Sequence, residues 1–231
     1  MNLKAVGTRT IVKWAIWGVL GLLFVVFLIK VSIFESNYYG EKEGSERAAV
    51  ENGSNGDESA EELIEEEPTK EEVHEYVVAP DRPRYLSVSK LGISNARILP
   101  MGVNSKGELD TPRNIFDVGW YEGSGKPGQG GTLIIDGHNG GPHVYGVFKQ
   151  LPSLVKGDEI IVERGDGAIF KYIVEENVSV DLSQSDQYMN VAARSPIVGK
   201  ESVTLISCTG EWSQSQGTYL SRQFTRAVLA E

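Results

Sequence analysis

One cysteine, one histidine and one arginine lie at the ends of apolar runs in this chain and could act together in nucleophilic chemistry. Cys208, the only cysteine, follows the run 203–207, His138 follows the run 132–137, and Arg222 begins a third run. A single thiol cannot form an internal disulfide. A thiol nucleophile needs a nearby base and a group that stabilises developing negative charge, and imidazole and guanidinium supply these. The three residues therefore predict a catalytic site with a cysteine nucleophile.

A purely structural role for these residues is the alternative. Free cysteine is among the most buried residue types and packs as a small apolar group, so a lone cysteine in a strand is more often core than reactive. His138 stands between Gly137 and the segment 139–141, where glycines permit a sharp turn. Taken one at a time, each residue fits either interpretation.

A metal site is a further candidate, since His138 and His143 are five residues apart and Cys208 could be a third ligand. Structural zinc sites use four Cys or His ligands with closely paired spacing. Pro142 also breaks any helix that would align the two histidines. We therefore expect no metal and no cofactor.

Residues 81–231 are predicted to form the catalytic domain, because about 150 residues suffice for one hydrophobic core. The apolar segments are short and separated by turn residues, which is typical of strands. The run 131–136 has consecutive apolar residues at 133–135 in place of alternation, which predicts a strand buried on both faces. We expect a mainly β fold, a closed barrel of seven to eight strands with short helices. Strands are predicted at 85–88, 96–100, 131–136, 159–163, 168–180, 203–208 and 222–229, and helices at 144–154 and 184–194.

The N-terminal part of the chain predicts a membrane anchor. The stretch 14–29 has no charged residue, and extension through Phe34 gives a helix of about 31 Å, near the thickness of a hydrocarbon core. A cleaved signal peptide is less favoured, because no small-x-small cleavage pattern follows. Basic residues precede the span, so the positive-inside rule places the tail 1–13 in the cytoplasm. We expect a single-pass cell-membrane protein with its anchor at 14–34 and its catalytic domain outside.

Negative charge is concentrated between the anchor and the domain. The formal net charge of the chain is -10, and residues 35–75 alone carry 15 acidic groups against three basic ones. Such a segment cannot bury enough apolar surface to order itself. This predicts an acidic flexible stalk over 35–80, with a short helix within 58–75 as the alternative. Residues 76–231 are nearly neutral, with 15 basic and 17 acidic residues. We therefore expect no nucleic-acid partner.

Several segments together resemble the sortase family. They are a Gly-His pair at 137–138, a Phe-x-x-Leu segment within 147–151, a Gly-Asp turn into a strand over 154–162, a strand at 204–208 similar to Thr-Leu-x-Thr-Cys, and an arginine-led terminal strand at 222–228. The order His, Cys, Arg along the chain is also that of sortases. The predicted anchor followed by a spacer is similar to sortases as well. The resemblance covers residues 84–231.

The resemblance implies a sortase barrel and peptide transpeptidation. Cys208 would attack a peptide carbonyl in the C-terminal sorting signal of a secreted protein and form a thioacyl-enzyme. His138 would protonate the leaving amine and later accept a proton from the incoming one. Arg222 would hold the oxyanion. The acceptor would be an amine of a cell-wall precursor or of another protein such as a pilin, with water giving hydrolysis instead.

Ser207, Trp212 and Tyr219 are candidate substrate-binding residues on the same resemblance. Ser207 could equally be an ordinary strand hydroxyl, and the two aromatic residues could equally cover the barrel. Arg226 lies four residues after Arg222, so a strand would point both to one face. Arg226 therefore stays an alternative for the oxyanion role.

Two positions depart from the commoner sortase pattern. Asp136 precedes Gly137 and His138 where many sortases have a small residue, so the histidine has an unusual electrostatic neighbour. Ser207 replaces the commoner threonine before Cys208 but keeps a hydroxyl. The segments 208–210 and 217–219 are more similar to class E or F sortases than to class A or B.

Two other classes of function are alternatives to a sortase. The L,D-transpeptidases also combine Cys, His and Arg in a β-rich extracytoplasmic domain, but they carry a compact Ser-His-Gly-Cys motif, whereas His138 and Cys208 are far apart in this sequence. A non-catalytic, membrane-tethered β-domain that binds surface peptides is the second. A reactive thiol would separate the enzymes from the binding domain.

Overall fold

The computed structural model describes residues 62–104 and 107–231, which belong to one compact unit, Ala60–Glu231. The predicted cytoplasmic tail, the anchor at 14–34 and most of the predicted stalk lie outside the described residues. Within the described ranges, no helix is long and apolar enough to cross a membrane.

The domain is a closed barrel of eight strands, which confirms the predicted mainly β fold. The strands are β1 (Pro83–Val88), β2 (Ile93–Met101), β3 (Val118–Tyr121), β4 (Thr132–Gly137), β5 (Glu159–Arg164), β6 (Ile169–Asp181), β7 (Ser202–Ser213) and β8 (Thr218–Leu229). Their order around the barrel is β1-β2-β3-β4-β7-β8-β6-β5, and β5 pairs with β1. The pairs β2 with β3 and β4 with β7 are parallel. Only β3, a four-residue strand that contains Gly119, was not predicted.

Two α-helices and two single 3₁₀ turns complete the described fold. They are α1 (Lys70–Glu75), α2 (Leu182–Ala192) and the 3₁₀ turns Ser89–Leu91 and Leu151–Ser153. Helix α2 corresponds to the helix predicted at 184–194. The helix predicted at 144–154 is present only as the 3₁₀ turn Leu151–Ser153, because the amides of Gly146 and Phe148 donate to the carbonyls of Asn139 and His138 rather than within a helix. This segment therefore holds the loop that follows His138.

Apolar residues lie on both faces of the central strands. The barrel interior contains the alternate residues Val203 and Leu205 of β7 together with Leu133 and Ile135 of β4. A second cluster on the outer face joins residues of β4, β7, β8 and α2, which are Ile134, Ile206, Phe224 and Ala192. The absence of alternation in the run 131–136 therefore reflects burial on both sides of β4, as the sequence predicted.

The described part of the predicted stalk packs against the barrel. Ile64 forms a parallel bridge with Asn114, and α1 begins with a capping box between Thr69 and Glu72. The Tyr76 hydroxyl donates to the Ile98 carbonyl at 2.6 Å. Residues 62–80 thus contact the barrel rather than forming a flexible stalk, and α1 lies within 58–75, where a short helix was the alternative.

We expect a domain that starts at residue 81 to be less stable than one that starts at residue 62. The shorter domain lacks Tyr76, whose carbonyl accepts from Arg84 Nε at 2.8 Å, and Val73, whose carbonyl accepts from the buried Tyr85 hydroxyl. Each lost hydrogen bond costs about 0.5–1.5 kcal/mol, so the melting temperature should fall by about 5 °C or more. Thermal unfolding of both domains followed by circular dichroism measures this difference.

Tyr76→Phe in the longer domain is the matched control, because it removes one hydrogen bond and keeps the ring against Tyr85. It should lower the melting temperature by less than the truncation does. Equal melting temperatures for the two domains would show that residues 62–80 contribute nothing to the fold.

Candidate active site

Three neighbouring strands bring His138, Cys208 and Arg222 into one row across the sheet. In the parallel pair of β4 and β7, Asp136 lies opposite Ile206, so continuing both strands by two residues sets His138 beside Cys208. In the antiparallel pair of β7 and β8, Cys208 lies opposite Arg222. We call these three residues the catalytic rung, after the role that the sequence predicts for them. Neighbouring strands are about 4.8 Å apart, so the backbones of His138 and Arg222 lie on either side of Cys208.

Cys208 points away from the barrel interior. Side chains alternate along a strand, and Val203 and Leu205 of β7 are inside, so Ile206 and Cys208 are on the outer face. The cysteine is partly exposed, whereas the neighbouring Ser207 is 4% exposed. The thiol is therefore not a filler of the barrel core, and it is within reach of a ligand on the outer face.

His138 is held by the loop before β3. Its Nε2 lies 2.8 Å from the carbonyl oxygen of Pro112. A carbonyl can only accept, so this contact places a hydrogen on Nε2 and leaves Nδ1 as the basic nitrogen of the neutral ring. Burial lowers the pKa of His138, and the hydrogen bond to Pro112 opposes that shift. The imidazole is therefore neutral at neutral pH and able to accept a proton.

The thiol of Cys208 is also neutral at rest. Burial raises the pKa of Cys208, the Arg222 guanidinium lowers it, and the Asp136 carboxyl raises it further. A nucleophilic thiolate therefore forms only when a base removes the proton. The neighbouring imidazole of the catalytic rung is the group placed to do so.

We expect the rate of Cys208 alkylation by iodoacetamide to rise with pH, with a midpoint above that of an ordinary exposed thiol. Arg222→Ala should move the midpoint higher, because it removes a positive charge, and Asp136→Asn should move it lower, because it removes a negative one. Mass spectrometry of the labelled chain measures the rate without ambiguity, since Cys208 is the only cysteine. A midpoint below that of an ordinary thiol would contradict the neutral resting pair.

Arg222 and Arg226 occupy different environments. Arg222 Nη1 donates to the Tyr219 carbonyl at 2.9 Å, and its Nη2 donates to Thr218 Oγ1 at 3.2 Å, so the guanidinium is tethered to the β7–β8 hairpin. Arg226 lies opposite Thr204, four residues before the cysteine. Its guanidinium forms an ion pair with Glu176 and donates to the Arg194 carbonyl. The structure thus places Arg222, and not Arg226, beside the thiol.

The three candidate substrate-binding residues lie in different places. Ser207 Oγ donates to the Gly137 carbonyl at 2.9 Å, which ties β7 to the end of β4 on the side opposite the thiol. Trp212 is 52% exposed and packs edge-on against Tyr219, with ring centroids 5.2 Å apart. This aromatic pair lies on the hairpin beyond the catalytic rung. Ser207 is therefore bound inside the barrel, away from the outer face, and the aromatic pair stays accessible to a ligand.

Sequence reasoning missed the contacts that hold the loop after His138. The Glu65 Oε1 accepts from the backbone amides of His143 at 2.8 Å and Val144 at 3.2 Å, and it lies against Gly141, where a Cβ would come within 2.2 Å. The acidic residues of the predicted stalk carried no signal for such a long-range contact. His143 thus lies in the loop after His138 and is not part of the catalytic rung. In the described ranges, no group of three or more His, Cys, Asp or Glu side chains could hold a metal ion.

His138 just after β4, Cys208 on β7 and Arg222 on β8 lie in one row, an arrangement that fits the predicted cysteine-nucleophile site. The family model of the sortase domain matches residues 86–230. The chain therefore belongs to the sortase family of cysteine transpeptidases, as its motifs predicted. A search of curated proteins found no match.

Several solved sortase structures are similar to the chain at low identity. Sortase A from Corynebacterium diphtheriae is 22% identical, with 67% of this chain and 62% of that chain covered and a TM-score of 0.45. A Clostridium perfringens sortase D5 transpeptidase is 20% identical, with 71% and 90% covered and a TM-score of 0.45. A pilus-related sortase C of Group B Streptococcus is 20% identical, with 75% and 77% covered and a TM-score of 0.48. The chain spans less than two thirds of the Corynebacterium protein.

Proposed function

We propose that this chain is a membrane-anchored sortase that cleaves the C-terminal sorting signal of secreted proteins and transfers the acyl part to an amine. The row of His138, Cys208 and Arg222 carries this proposal, because a thiol, an imidazole and a guanidinium are the group types that a nucleophile, a base and an oxyanion-binding group require. The sortase-domain match over 86–230 supports the same reaction class.

The acylation step follows from the neutral resting pair. Nδ1 of His138 accepts the thiol proton as Cys208 Sγ attacks the peptide carbonyl, and an S–C bond forms. The developing oxyanion is stabilised by Arg222, whose fork of N–H donors is fixed by the hairpin. The C–N bond then breaks, the imidazolium gives its proton to the leaving amine, and a thioacyl-enzyme remains.

The second step releases the acyl group. An acceptor amine attacks the thioester carbonyl, His138 accepts a proton from that amine, and the C–S bond breaks. The proton returns to the Cys208 sulfur, so the enzyme regains its starting state. The acceptor is an amine of a cell-wall precursor or of another protein such as a pilin, and water in its place would give hydrolysis.

The N-terminal segment supports the proposed location. The uncharged stretch 14–29, preceded by basic residues, fits a single membrane span with the tail 1–13 in the cytoplasm. The catalytic domain would then lie outside the membrane, where secreted proteins with sorting signals pass. Partial proteolysis of intact cells tests this orientation, since only an outward domain is accessible to the protease.

A peptide library tests the reaction itself. The full chain is incubated with randomised peptides and an excess of a simple amine, and intact-protein mass spectrometry detects acyl adducts on Cys208. We expect an adduct with a restricted set of peptides and an amide product with the amine. If neither adduct nor product forms with any peptide, although the chain is folded, the proposed function is wrong.

A further inference from the structure

The outer face carries one carboxyl group next to the catalytic rung. Asp136 lies two residues before His138 and opposite Ile206, which itself lies two residues before Cys208. Ile206 lies opposite Phe224 of β8. We call Asp136, Ile206 and Phe224 the second rung, and Asp136 is its only ionisable member.

Asp136 is also the accessible member of the second rung. Ile206 is 8% exposed and Phe224 is 1% exposed. Tyr188 of α2 packs over Phe224, with ring centroids 4.9 Å apart. Asp136 is partly exposed, as Cys208 is. A peptide that reaches the thiol over β4 and β7 therefore meets this carboxyl group.

The neighbours of Asp136 leave its negative charge without a cationic partner. Thr111 Oγ1 donates to Asp136 Oδ2 at 2.7 Å. Opposite Asp136 on β3 is Gly119, where a Cβ would come within 2.5 Å of Oδ1. Over 62–104 and 107–231, no Lys, Arg or His side chain forms an ion pair with Asp136. The carboxyl thus contacts a glycine and one hydroxyl, and among the described residues it has no cationic partner.

Burial makes the charge of Asp136 responsive to such a ligand. It raises the pKa of Asp136 to about 7, the hydrogen bond from Thr111 opposes the shift, and the nearby Asp110 carboxyl adds to it. A charged group removed from water without a partner is unfavourable. A cationic side chain beside the carboxylate would supply the missing partner and favour the ionised form.

The direction of the sheet decides which part of a substrate lies over Asp136. Because β4 ends at Gly137, the face shared by β4 and β7 extends from the catalytic rung only towards the second rung. The acyl part must stay bound in the thioacyl-enzyme after the leaving peptide departs, so the acyl part is the one that fits this face. An extended peptide advances about 3.3 Å per residue, which puts the second rung two to three residues before the scissile bond.

We propose that Asp136 is a specificity-determining residue whose carboxylate binds a Lys or Arg side chain two to three residues before the scissile bond of the sorting signal. This inference rests on the proposed function. It adds a substrate class, because a second rung made only of apolar residues such as Ile206 and Phe224 would select an apolar substrate side chain at that position.

Matched peptide pairs test this inference. The full chain first selects cleaved peptides from the randomised library. Each of the four positions before the scissile bond is then set to Lys or to norleucine, and kcat/KM is measured for both. At one position two or three residues before the bond, we expect the Lys peptide to be preferred by at least about tenfold at pH 8. Asp136→Asn should remove this preference.

The pH dependence of that ratio identifies the titrating group. Lys stays charged between pH 6 and 8, so the ratio should rise as Asp136 loses its proton near pH 7. The groups that face Asp136 are Asp110 and Thr111 of the loop before β3 and Cys208 of β7, with His138 just after β4. Titration of Cys208 and His138 affects both peptides alike and cancels in the ratio. The ratio for Asp136→Asn should be flat with pH.

Asp186→Asn is the matched control, since it removes one exposed carboxylate from α2 and should leave the ratio unchanged. If the wild-type chain cleaves no peptide, the proposed function fails and this inference with it. If the wild type cleaves peptides but prefers norleucine at all four positions, or if Asp136→Asn keeps the Lys preference, only this inference is overturned. Should Asp136→Asn not fold, a pH-independent ratio in the wild type would overturn it equally.

Discussion

Replacing Cys208 by alanine is expected to abolish thioacyl formation and transpeptidation, with a rate below about one thousandth of the wild-type rate. Alanine removes the nucleophilic sulfur, and neither His138 nor Arg222 can form a covalent acyl intermediate in its place. The fold should be kept, because the side chain is partly exposed on the outer face and its loss leaves no large cavity in the barrel. The measurement is peptide cleavage by chromatography together with thermal unfolding.

Cys208→Ser is the second variant for the same residue. It keeps the size of the side chain but replaces the thiol with a hydroxyl, which is far harder to deprotonate and a weaker nucleophile, so activity should also be lost. The free energy of unfolding of both variants should be within about 1 kcal/mol of that of the wild type. Turnover by either folded variant at a rate near that of the wild type would refute the nucleophile assignment.

Replacing Arg222 is expected to lower catalytic activity, whereas replacing Arg226 is expected to lower stability. Arg222→Ala should lower kcat/KM by about 100- to 1,000-fold, because it removes the oxyanion donors from the catalytic rung, and should change the melting temperature little. Arg226→Ala should act mainly on stability. Its side chain is 8% exposed and pairs with Glu176, whose side chain is 41% exposed, so we expect a loss of about 1–3 kcal/mol.

Kinetics and thermal unfolding of both variants distinguish the two effects. Arg222→Lys is the matched control for charge, since lysine keeps the positive charge but lacks the planar fork of donors. Arg222→Lys should be more active than Arg222→Ala but less active than the wild type. The reverse ranking, with Arg226→Ala inactive and Arg222→Ala active, would move the oxyanion role to Arg226 and contradict the register of β7 and β8.

The strands and the chemical residue types were predictable from local sequence. Apolar runs punctuated by glycine and charged turns marked seven of the eight strands, because side-chain alternation and turn chemistry act over a few neighbouring residues. The position of His138 just after β4 followed from the same runs. Cys208 was predicted to end a strand and Arg222 to begin one, but both lie within longer strands, since β7 extends to Ser213 and β8 begins at Thr218. The motifs around these residues indicated the sortase family. Strand β3 was missed because four residues that include Gly119 carry too little periodicity.

Contacts between distant segments were not predictable in this way. The acidic composition of residues 62–80 predicted an unstructured stalk, whereas Tyr76 and Glu65 bind backbone groups of β2 and of the loop after His138. Such contacts depend on where the closed barrel brings carbonyls and amides to the surface. Composition averages over a segment and does not record one well-placed side chain.

The sequence by itself determined the anchor prediction, the β class and the three residue types of a cysteine-nucleophile site. Only the tertiary structure decided which arginine stands beside Cys208, because Arg222 and Arg226 share a strand face and differ only in the register of β7 with β8. It likewise placed Asp136 one rung from the thiol. The physical reason is that pairing between strands joins residues tens of positions apart, and local periodicity holds no information on that register.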